Sequence, residues 1–273
     1  MNPTVVALML TSDRHKLAKK AVTCFRAQTY PLASLLVFDS GEQRLEMERQ
    51  PQEFWCDAHE FSGAPIGKLR NAAIWLLLSA DVIVHWDDDD YSHPTRITEQ
   101  VELLQASGAD VVGYNQMLFW RTQPSRYRDG QPHPIGMVYC PCGEVFPRTA
   151  GTCPTCKKMA REEAWLYTHQ DARPYALGTS LCYKRSFWER HQFAAETQGV
   201  EDHWLREKNL LAVSALVGPD KANPETTCDP RMIARIHGGN TSNGYKLEEY
   251  VAKGSREWKR VPFWDSRVRE ILG

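Results

Sequence analysis

The sequence lacks an apolar run long enough to cross a bilayer. The longest run, residues 72–78, covers seven residues, whereas a membrane-spanning helix needs about 20. Its formal net charge is only −1, because 33 basic residues oppose 34 acidic ones, so no polyanionic partner is indicated for the whole molecule. Internal repeats and low-complexity segments are missing as well. The opening MNPTVVALML has no basic start, so we expect no secretion signal and a soluble, cytoplasmic protein.

Strand-like and helix-like segments alternate in the first 120 or so of the 273 residues. Asp13 is expected to cap the first helix, and Ala72, Ala73, Leu76 and Leu77 are expected to form the buried side of the second. This alternation predicts an α/β fold with a Rossmann-like, mainly parallel sheet flanked by helices. The predicted strands are TVVALML, SLLVFDSG, ADVIVHW and ADVVGYNQMLFW, and the later helices are GKLRNAAIWLLLS and SHPTRITEQVELLQAS.

Acidic side chains follow two of the predicted strands. Asp39 ends the second strand, and four consecutive aspartates, residues 87–90, follow the third. Ligands of parallel sheets bind beyond the carboxyl ends of the strands. In an extended segment Asp87 and Asp89 face the same side, and their oxygens suit Mg²⁺ or Mn²⁺. The alternatives are a solvated acidic loop that caps the next helix and, for Asp39, an Asx turn.

Several segments of the sequence resemble those of family 2 glycosyltransferases of the GT-A fold, and they occur in the same order as in that family. Their order and spacing agree over residues 3–242, apart from one insertion. The resemblance implies a metal-dependent, inverting transfer of a sugar, hexosyl or pentosyl, from a nucleotide-sugar donor to a hydroxyl acceptor. The segments are VVALMLTSDRHKLAKKAVTCFRAQTYP, LLVFDSG, GKLRNAAI, VIVHWDDDDYSHP, GVEDHWLREKN and RIHGGNTS.

The same resemblance assigns residues to the donor and its metal. Asp89 is the implied ligand of Mn²⁺ or Mg²⁺, Asp87 lies nearer the ribose, and Asp39 binds the nucleobase or ribose of a donor that we expect to be a UDP-sugar. Asp90 is expected to shape the turn, as is Asp88. Arg70 and Asn71 stand at the start of the second predicted helix, and the alternative to donor binding is that they belong to an ordinary exposed first turn. The other expected donor contacts are Thr11, Arg70, Asn71 and Asp88.

A second acidic pair and a histidine complete the site that the resemblance implies. Inverting transfer needs a base that takes the acceptor's proton, and Asp202 is the implied base, with Glu201 positioning it or the acceptor. His237 is implied to complete the metal shell or to contact the diphosphate. The alternatives are acids that stabilise a helix N-terminus and a solvated loop histidine.

The cysteines are unevenly distributed, since four of the eight fall within residues 140–156. Paired cysteines in Pro/Gly turns predict a zinc ribbon at about residues 139–158, with structural Zn²⁺ bound by four thiolates. Unligated thiols or redox pairs are the alternatives, and His133 could replace Cys140 because only one residue separates the first pair. The expected zinc ligands are Cys140, Cys142, Cys153 and Cys156, and the expected core cysteines are Cys24, Cys56, Cys182 and Cys228.

The insertion around these cysteines is rich in basic and aromatic residues. Such a composition suits an anionic or extended acceptor. We therefore expect a phosphoglycan, a lipid-linked glycan or modified DNA as the acceptor. The basic residues are Arg121, Arg126, Arg128, Arg148, Lys157, Lys158 and Arg161, with Trp120, Tyr127, Tyr139 and Phe146 among them.

The resulting domain plan has four parts. Residues 1–117 form the nucleotide-sugar half, 118–174 the insertion, 175–243 the acceptor half and 244–273 a helical tail. One competing hypothesis is a non-catalytic module that binds nucleic acid or protein through the zinc ribbon on a degenerate GT-A scaffold. A nucleotidyltransferase is another, because carboxylates with a divalent cation also serve phosphoryl transfer.

Overall fold

The computed structural model describes most of the α/β core. It has four α-helices, at His15–Arg26 (α1), Ile66–Trp75 (α2), Arg96–Ser107 (α3) and Arg185–Arg190 (α4), within the part of the chain that is described. Short 3₁₀ turns lie at His59–Phe61 and Gly178–Ser180. The described residues are 2–77, 79–121, 137–139, 144–147, 152–157, 163–196, 209–218, 229–236 and 254–262.

Strands make up most of the remaining regular structure. The first eight are β1 (Val5–Thr11), β2 (Ala33–Asp39), β3 (Glu53–Asp57), β4 (Val82–His85), β5 (Tyr91–Ser92), β6 (Val111–Arg121), β7 (Met137–Tyr139) and β8 (Val145–Pro147). The next seven are β9 (Glu163–Thr168), β10 (Cys182–Lys184), β11 (Leu210–Ser214), β12 (Leu216–Val217), β13 (Asp229–Pro230), β14 (Met232–Ile236) and β15 (Trp258–Pro262).

One large sheet organises the chain, in the order β15-β9-β6-β10-β4-β1-β2-β3, with β11 and β14 pairing with β6 and β5 with β14. Strands β4, β1, β2 and β3 are parallel to one another. Strand β10 lies between β4 and β6 and is antiparallel to both, so β6 runs in the same direction as β4. Only β5, β9 and β10 oppose that direction among the described strands of this sheet. The predicted α/β class with a mainly parallel sheet is confirmed.

The alternation of side chains along β1 divides the core between the two faces of the sheet. Val5, Ala7 and Met9 pack in a cluster with apolar residues of α1 and α3. Val6 and Leu8 point the other way, into a cluster with residues of α2 and α4. Because both faces are covered, the strand is apolar at nearly every position. This two-sided packing holds the carboxyl ends of the strands at one edge.

Several local predictions are wrong. The Asp13 carboxylate does not cap α1, but accepts the backbone N–H groups of Glu42 and Gln43, at 3.2 and 3.0 Å. Helix α2 ends at Trp75, so Leu76 lies beyond it and is 56% exposed instead of buried. Residues Trp258–Pro262, within the expected helical tail, form a strand, because they pair with β9 and bury Val261.

Strand β3 was not predicted from the sequence. Its residues EFWCD mix apolar and acidic side chains, whereas the other parallel strands are apolar runs. It forms because β2 offers it a parallel partner, with Leu35 opposite Glu53 and Asp39 opposite Asp57. Among the helices of the described residues, none is long and apolar enough to cross a membrane.

Candidate active site

Three neighbouring parallel strands end at the candidate site. Thr11 at the end of β1 lies opposite Asp39 at the end of β2. His85 ends β4, opposite Leu8 of β1, and the acidic run 87–90 follows two residues later. The acidic strand ends therefore lie at the same edge of the sheet, as the sequence predicts.

Asp87, Asp89 and Asp90 form a compact acidic cluster. One carboxylate oxygen from each lies within 4.8 Å of the others, and Asp89 and Asp90 are buried while Asp87 is half-buried. Like charges this close are unfavourable unless a bound cation or a proton compensates them. A set of carboxylate oxygens is what Mg²⁺ and Mn²⁺ prefer. The residues therefore fit a divalent cation, and Asp90 joins the pair that was predicted to converge.

Asp88 points away from that cluster and is almost completely buried. Its carboxylate accepts a hydrogen bond from the Thr11 hydroxyl at 2.7 Å and forms an ion pair with Arg14 at 2.9 Å. Burial raises the pKa of Asp88 to about 7, with Arg14 opposing the rise and Asp89 adding to it. The side-chain contacts that the structure shows for Thr11 and Asp88 are thus with each other and, for Asp88, with Arg14, and their contact with a donor stays a prediction.

Asp90 connects three separate segments. Its carboxylate accepts the Thr179 hydroxyl at 2.6 Å and the backbone N–H of Arg235 at 2.9 Å. Burial raises its pKa well above the ordinary range, and the charges of Asp89 and Asp87 add to this effect. The predicted role of Asp90 in shaping the turn is therefore incomplete, because its partners come from distant parts of the chain.

Arg96 lies close to the acidic run, and no pattern in the sequence singles it out. Its guanidinium is fully buried and stands over the Trp86 ring, 5.2 Å from the centroid. It donates to the Ser92 hydroxyl at 2.8 Å and to the carbonyl oxygens of His85 and Thr179 at 2.9 and 3.3 Å. Burial lowers its pKa, and Asp90 is among the groups that oppose this. An arginine at the first position of a predicted helix is unremarkable in the sequence, so only the fold reveals it.

Arg70 is buried close to Asp87, and His85 is buried close to Arg70. Arg70 is buried in the first turns of α2, with its guanidinium 5.6 Å from the centre of the Phe193 ring. Burial lowers the pKa of Arg70, and the charge of Asp87 opposes this. His85 has a pKa well below its ordinary value because it is buried and because Arg70 is close. The neutral imidazole contacts the Gly178 carbonyl oxygen at 2.6 Å.

Asn71 uses its side-chain amide to hold a neighbouring segment. Its oxygen accepts the Trp188 indole N–H at 2.9 Å and the Phe193 backbone N–H at 3.0 Å, and its nitrogen donates to the Phe193 carbonyl at 2.9 Å. These bonds keep Phe193 in place against Arg70. The predicted contact of Asn71 with a donor is not among the contacts observed, and stays a prediction.

Asp39 forms the Asx-type turn that was left open as an alternative. Its oxygens accept the backbone N–H groups of Gly41 at 3.0 Å and Leu45 at 2.7 Å. A side chain at Gly41 would place its Cβ 2.7 Å from the nitrogen of Asp13, so glycine permits this close loop packing. Each carboxylate oxygen has further acceptor capacity, so a ribose or base contact by Asp39 stays a prediction.

Other predicted site residues lie outside the described residues. These are Glu201, Asp202, His237, Cys140, Cys142 and His133. Cys153 and Cys156 are described, and their segment is a tight turn in which the Cys156 N–H lies 3.5 Å from the Cys153 sulfur. The strands β7 and β8 that flank the first cysteine pair form an antiparallel hairpin, with Tyr139 opposite Val145.

Comparison with known proteins supports the architecture. No protein-family model matches the chain, and no curated protein sequence matches it significantly. Among solved structures, residues 1–349 of S. aureus TarS in complex with UDP-GlcNAc align with a TM-score of 0.50 and 12% identity, over 87% of this chain and 60% of that one.

A second structure aligns over a larger share. The mannosyltransferase PcManGT from Pyrobaculum calidifontis, in complex with GDP-Man and Mn²⁺, aligns with a TM-score of 0.50 and 15% identity, over 95% of this chain and 66% of that one. The chain therefore spans less than two thirds of the length of either structure. At this level of identity the likeness concerns the fold, and the chain has the α/β fold of a GT-A glycosyltransferase.

Proposed function

We propose that the protein is an inverting, metal-dependent glycosyltransferase of the family 2 type that moves a sugar from a nucleotide-sugar to a hydroxyl acceptor. The observation that carries this proposal is the cluster of Asp87, Asp89 and Asp90 at the carboxyl ends of the parallel strands. Two structures that share the fold contain UDP-GlcNAc in one case, and GDP-Man with Mn²⁺ in the other. A UDP-sugar is the donor that we propose.

The donor side follows from the acidic cluster and its neighbours. We assign Asp89 as a ligand of Mn²⁺ or Mg²⁺, Asp87 to the ribose side and Asp39 to the nucleobase or ribose. A divalent cation held there would neutralise the negative charge of the diphosphate as it leaves. Arg70 lies close to Asp87 and is a permanent cation at the start of α2, which suits an anionic ligand.

The acceptor side rests on the sequence resemblance. We assign Asp202 as the base that removes the proton of the acceptor hydroxyl, Glu201 as its positioning partner and His237 as a further ligand of the metal or diphosphate. In-line attack needs this base on the face opposite the leaving group. Strand β14 ends at Ile236, one residue before His237, and Arg235 on that strand is tied to Asp90, which supports placing His237 near the acids.

The insertion is proposed to hold structural Zn²⁺ through Cys140, Cys142, Cys153 and Cys156. An N–H group directed at a cysteine sulfur, as in the Cys153–Cys156 turn, stabilises thiolate charge. Thr155 of the same turn donates to Glu144, beside β8, at 2.7 Å. This bond joins the Cys153–Cys156 turn to Glu144, the residue before β8. We propose that the ribbon borders an anionic acceptor, such as a phosphoglycan, a lipid-linked glycan or modified DNA.

A donor screen tests the proposed function. The protein is mixed with UDP-, GDP-, CMP- and dTDP-sugars and Mn²⁺, and both thermal shift and nucleotide release are measured. We expect at least one donor to stabilise the wild-type protein and the Asp89→Asn variant to lose this response. Asp171→Asn, an exposed aspartate that pairs with Arg173, is the matched control and should respond like the wild type. Absence of a metal-dependent response to every donor would reject the proposal.

A further inference from the structure

Arg14 contacts two carboxylates of the acidic run at once. One guanidinium nitrogen lies 2.9 Å from Asp88 Oδ1, and the other lies 3.2 Å from Asp89 Oδ2. Asp89 is also a member of the cluster with Asp87 and Asp90. A cation of the chain itself therefore contacts the carboxylate that the proposed function assigns to a divalent metal.

Arg14 differs from the other arginines near the acids in its exposure. Its side chain is 37% exposed, whereas Arg70, Arg96 and Arg235 are all buried. A buried guanidinium that moves leaves its hydrogen-bonding partners unsatisfied in the interior. Arg14 can turn away from Asp89 while it keeps its ion pair with Asp88, because water reaches the exposed part of its side chain. Arg14 is thus the arginine of this group that can change partners at low cost.

The backbone around Arg14 is fixed even though its side chain reaches solvent. The carbonyl oxygen of Arg14 accepts the N–H groups of Leu17 and Ala18, both at 3.0 Å, at the start of α1. The preceding residue, Asp13, is tied to the loop after β2 through Glu42 and Gln43. Any change of partner is therefore confined to the side chain, whose rotation can move the guanidinium from one carboxylate to another group.

We propose that Arg14 is a positioning residue that occupies the Asp89 carboxylate when the divalent cation is absent and releases it when cation and donor bind. The ion pair with Asp88 holds the guanidinium at the site during this exchange. The nitrogen that leaves Asp89 becomes available to a phosphate oxygen of the donor, for which a guanidinium is well suited. This inference rests on the proposed function, because it takes Asp89 as the metal ligand.

The inference predicts opposite effects on two ligands. Arg14 and the metal compete for one carboxylate, so Arg14→Ala should strengthen the binding of Mn²⁺ alone. We expect Mn²⁺ to bind this variant about tenfold more tightly, because a charge-assisted hydrogen bond contributes about that factor. With Mn²⁺ saturating, the same variant should bind UDP about tenfold more weakly, because a phosphate contact is lost. If Arg14 merely held the acids in place, its removal would weaken the binding of both.

The test uses electron paramagnetic resonance, which reports free Mn²⁺, on the full chain with its zinc content measured beforehand. Lys16→Ala is the matched control, since Lys16 is an exposed cation two residues further along. It should change Mn²⁺ affinity less than about twofold, because exposed charges are screened by salt. Asp89→Asn identifies the site: it should abolish the binding that Arg14→Ala strengthens. Calorimetry with UDP gives the second affinity.

A double variant addresses folding. Arg14→Ala leaves the buried Asp88 without its ion-pair partner, so Arg14→Ala with Asp88→Asn removes both charges while an amide oxygen still accepts the Thr11 hydroxyl. It too should bind Mn²⁺ alone more tightly than the wild type. Unchanged or weaker Mn²⁺ binding in both variants, with the wild type binding normally, overturns the inference and leaves the proposed function intact. If neither the wild type nor the variants bind Mn²⁺, both fail.

Discussion

The buried carboxylate of Asp90 accepts a hydrogen bond from the backbone N–H of Arg235 at 2.9 Å, across a sequence separation of 145 residues. Its other oxygen accepts the hydroxyl of Thr179. One side chain thereby joins the acidic run, the 3₁₀ turn at Gly178–Ser180 and strand β14. Because His237 follows this strand directly, the proposed contribution of His237 to the site depends on that hydrogen bond.

Replacing Asp90 by alanine should destabilise the protein. A buried N–H group of Arg235 would lose its acceptor, which costs about 1–3 kcal/mol. Asp90→Asn should lose much less, because its amide oxygen still accepts that N–H group. The free energy of unfolding in urea measures both. Equal losses in the two variants would contradict this account of the bond.

Removing the buried guanidinium of Arg96 should have a larger effect. Arg96→Met leaves the Ser92 hydroxyl and two backbone carbonyl oxygens without their donor and removes a positive charge below the acids. We expect a loss of about 3–5 kcal/mol in the free energy of unfolding, because several buried acceptors lose their donor at about 1–3 kcal/mol each. Arg190→Met, at an exposed position on α4, is the control and should change stability by less than about 0.5 kcal/mol. A loss as small as that of the control would refute the role given to Arg96.

His85 should make stability depend on pH. Its folded-state pKa lies well below the ordinary value, mainly because it is buried and also because Arg70 and Arg96 are close. The unfolded chain therefore binds a proton that the folded chain does not, and stability falls as the pH drops below about 6.5, by up to about 1.4 kcal/mol per pH unit.

A pair of variants isolates this contribution from that of the carboxylates. His85→Phe should lack this part of the pH dependence, although it loses the hydrogen bond to the Gly178 carbonyl at every pH. Tyr183→Phe removes the hydroxyl beside the ring at 3.2 Å but keeps the imidazole, so the dependence should persist. The measurement is the free energy of unfolding between pH 5 and pH 8. If it changes with pH equally in the wild type and in His85→Phe, His85 contributes nothing to the pH dependence.

The insertion should contain one zinc ion per chain. Cys153→Ser should lower zinc content, measured by elemental analysis of purified protein, because the tetrahedral site needs all four thiolates. Cys56→Ser is the control, since Cys56 lies on the edge strand β3, outside the insertion, and this variant should keep the zinc. Equal zinc contents in all three proteins, or none in the wild type, would exclude the zinc ribbon.

Much of the structure of residues 1–117 was predictable from local pattern, whereas the contacts between distant segments were not. Apolar runs identified β1, β2 and β4, because a strand covered on both faces shows its burial directly in the sequence. Asp87 and Asp89 are expected to converge because alternate residues of an extended segment face the same side. The partners of Asp90, and the buried position of Arg96, depend on how β14 and the Gly178–Ser180 turn pack. No spacing within the sequence encodes them.

Binding of UDP in the presence and absence of Mn²⁺ tests the central claim most directly. Calorimetric titration should show that the wild-type protein binds UDP with Mn²⁺ and at least about tenfold more weakly after the metal is removed, and that Asp89→Asn binds weakly in both conditions. Binding that is equal with and without metal, or equal in the wild type and Asp89→Asn, would contradict the assignment of the acidic cluster to a metal-bound nucleotide diphosphate.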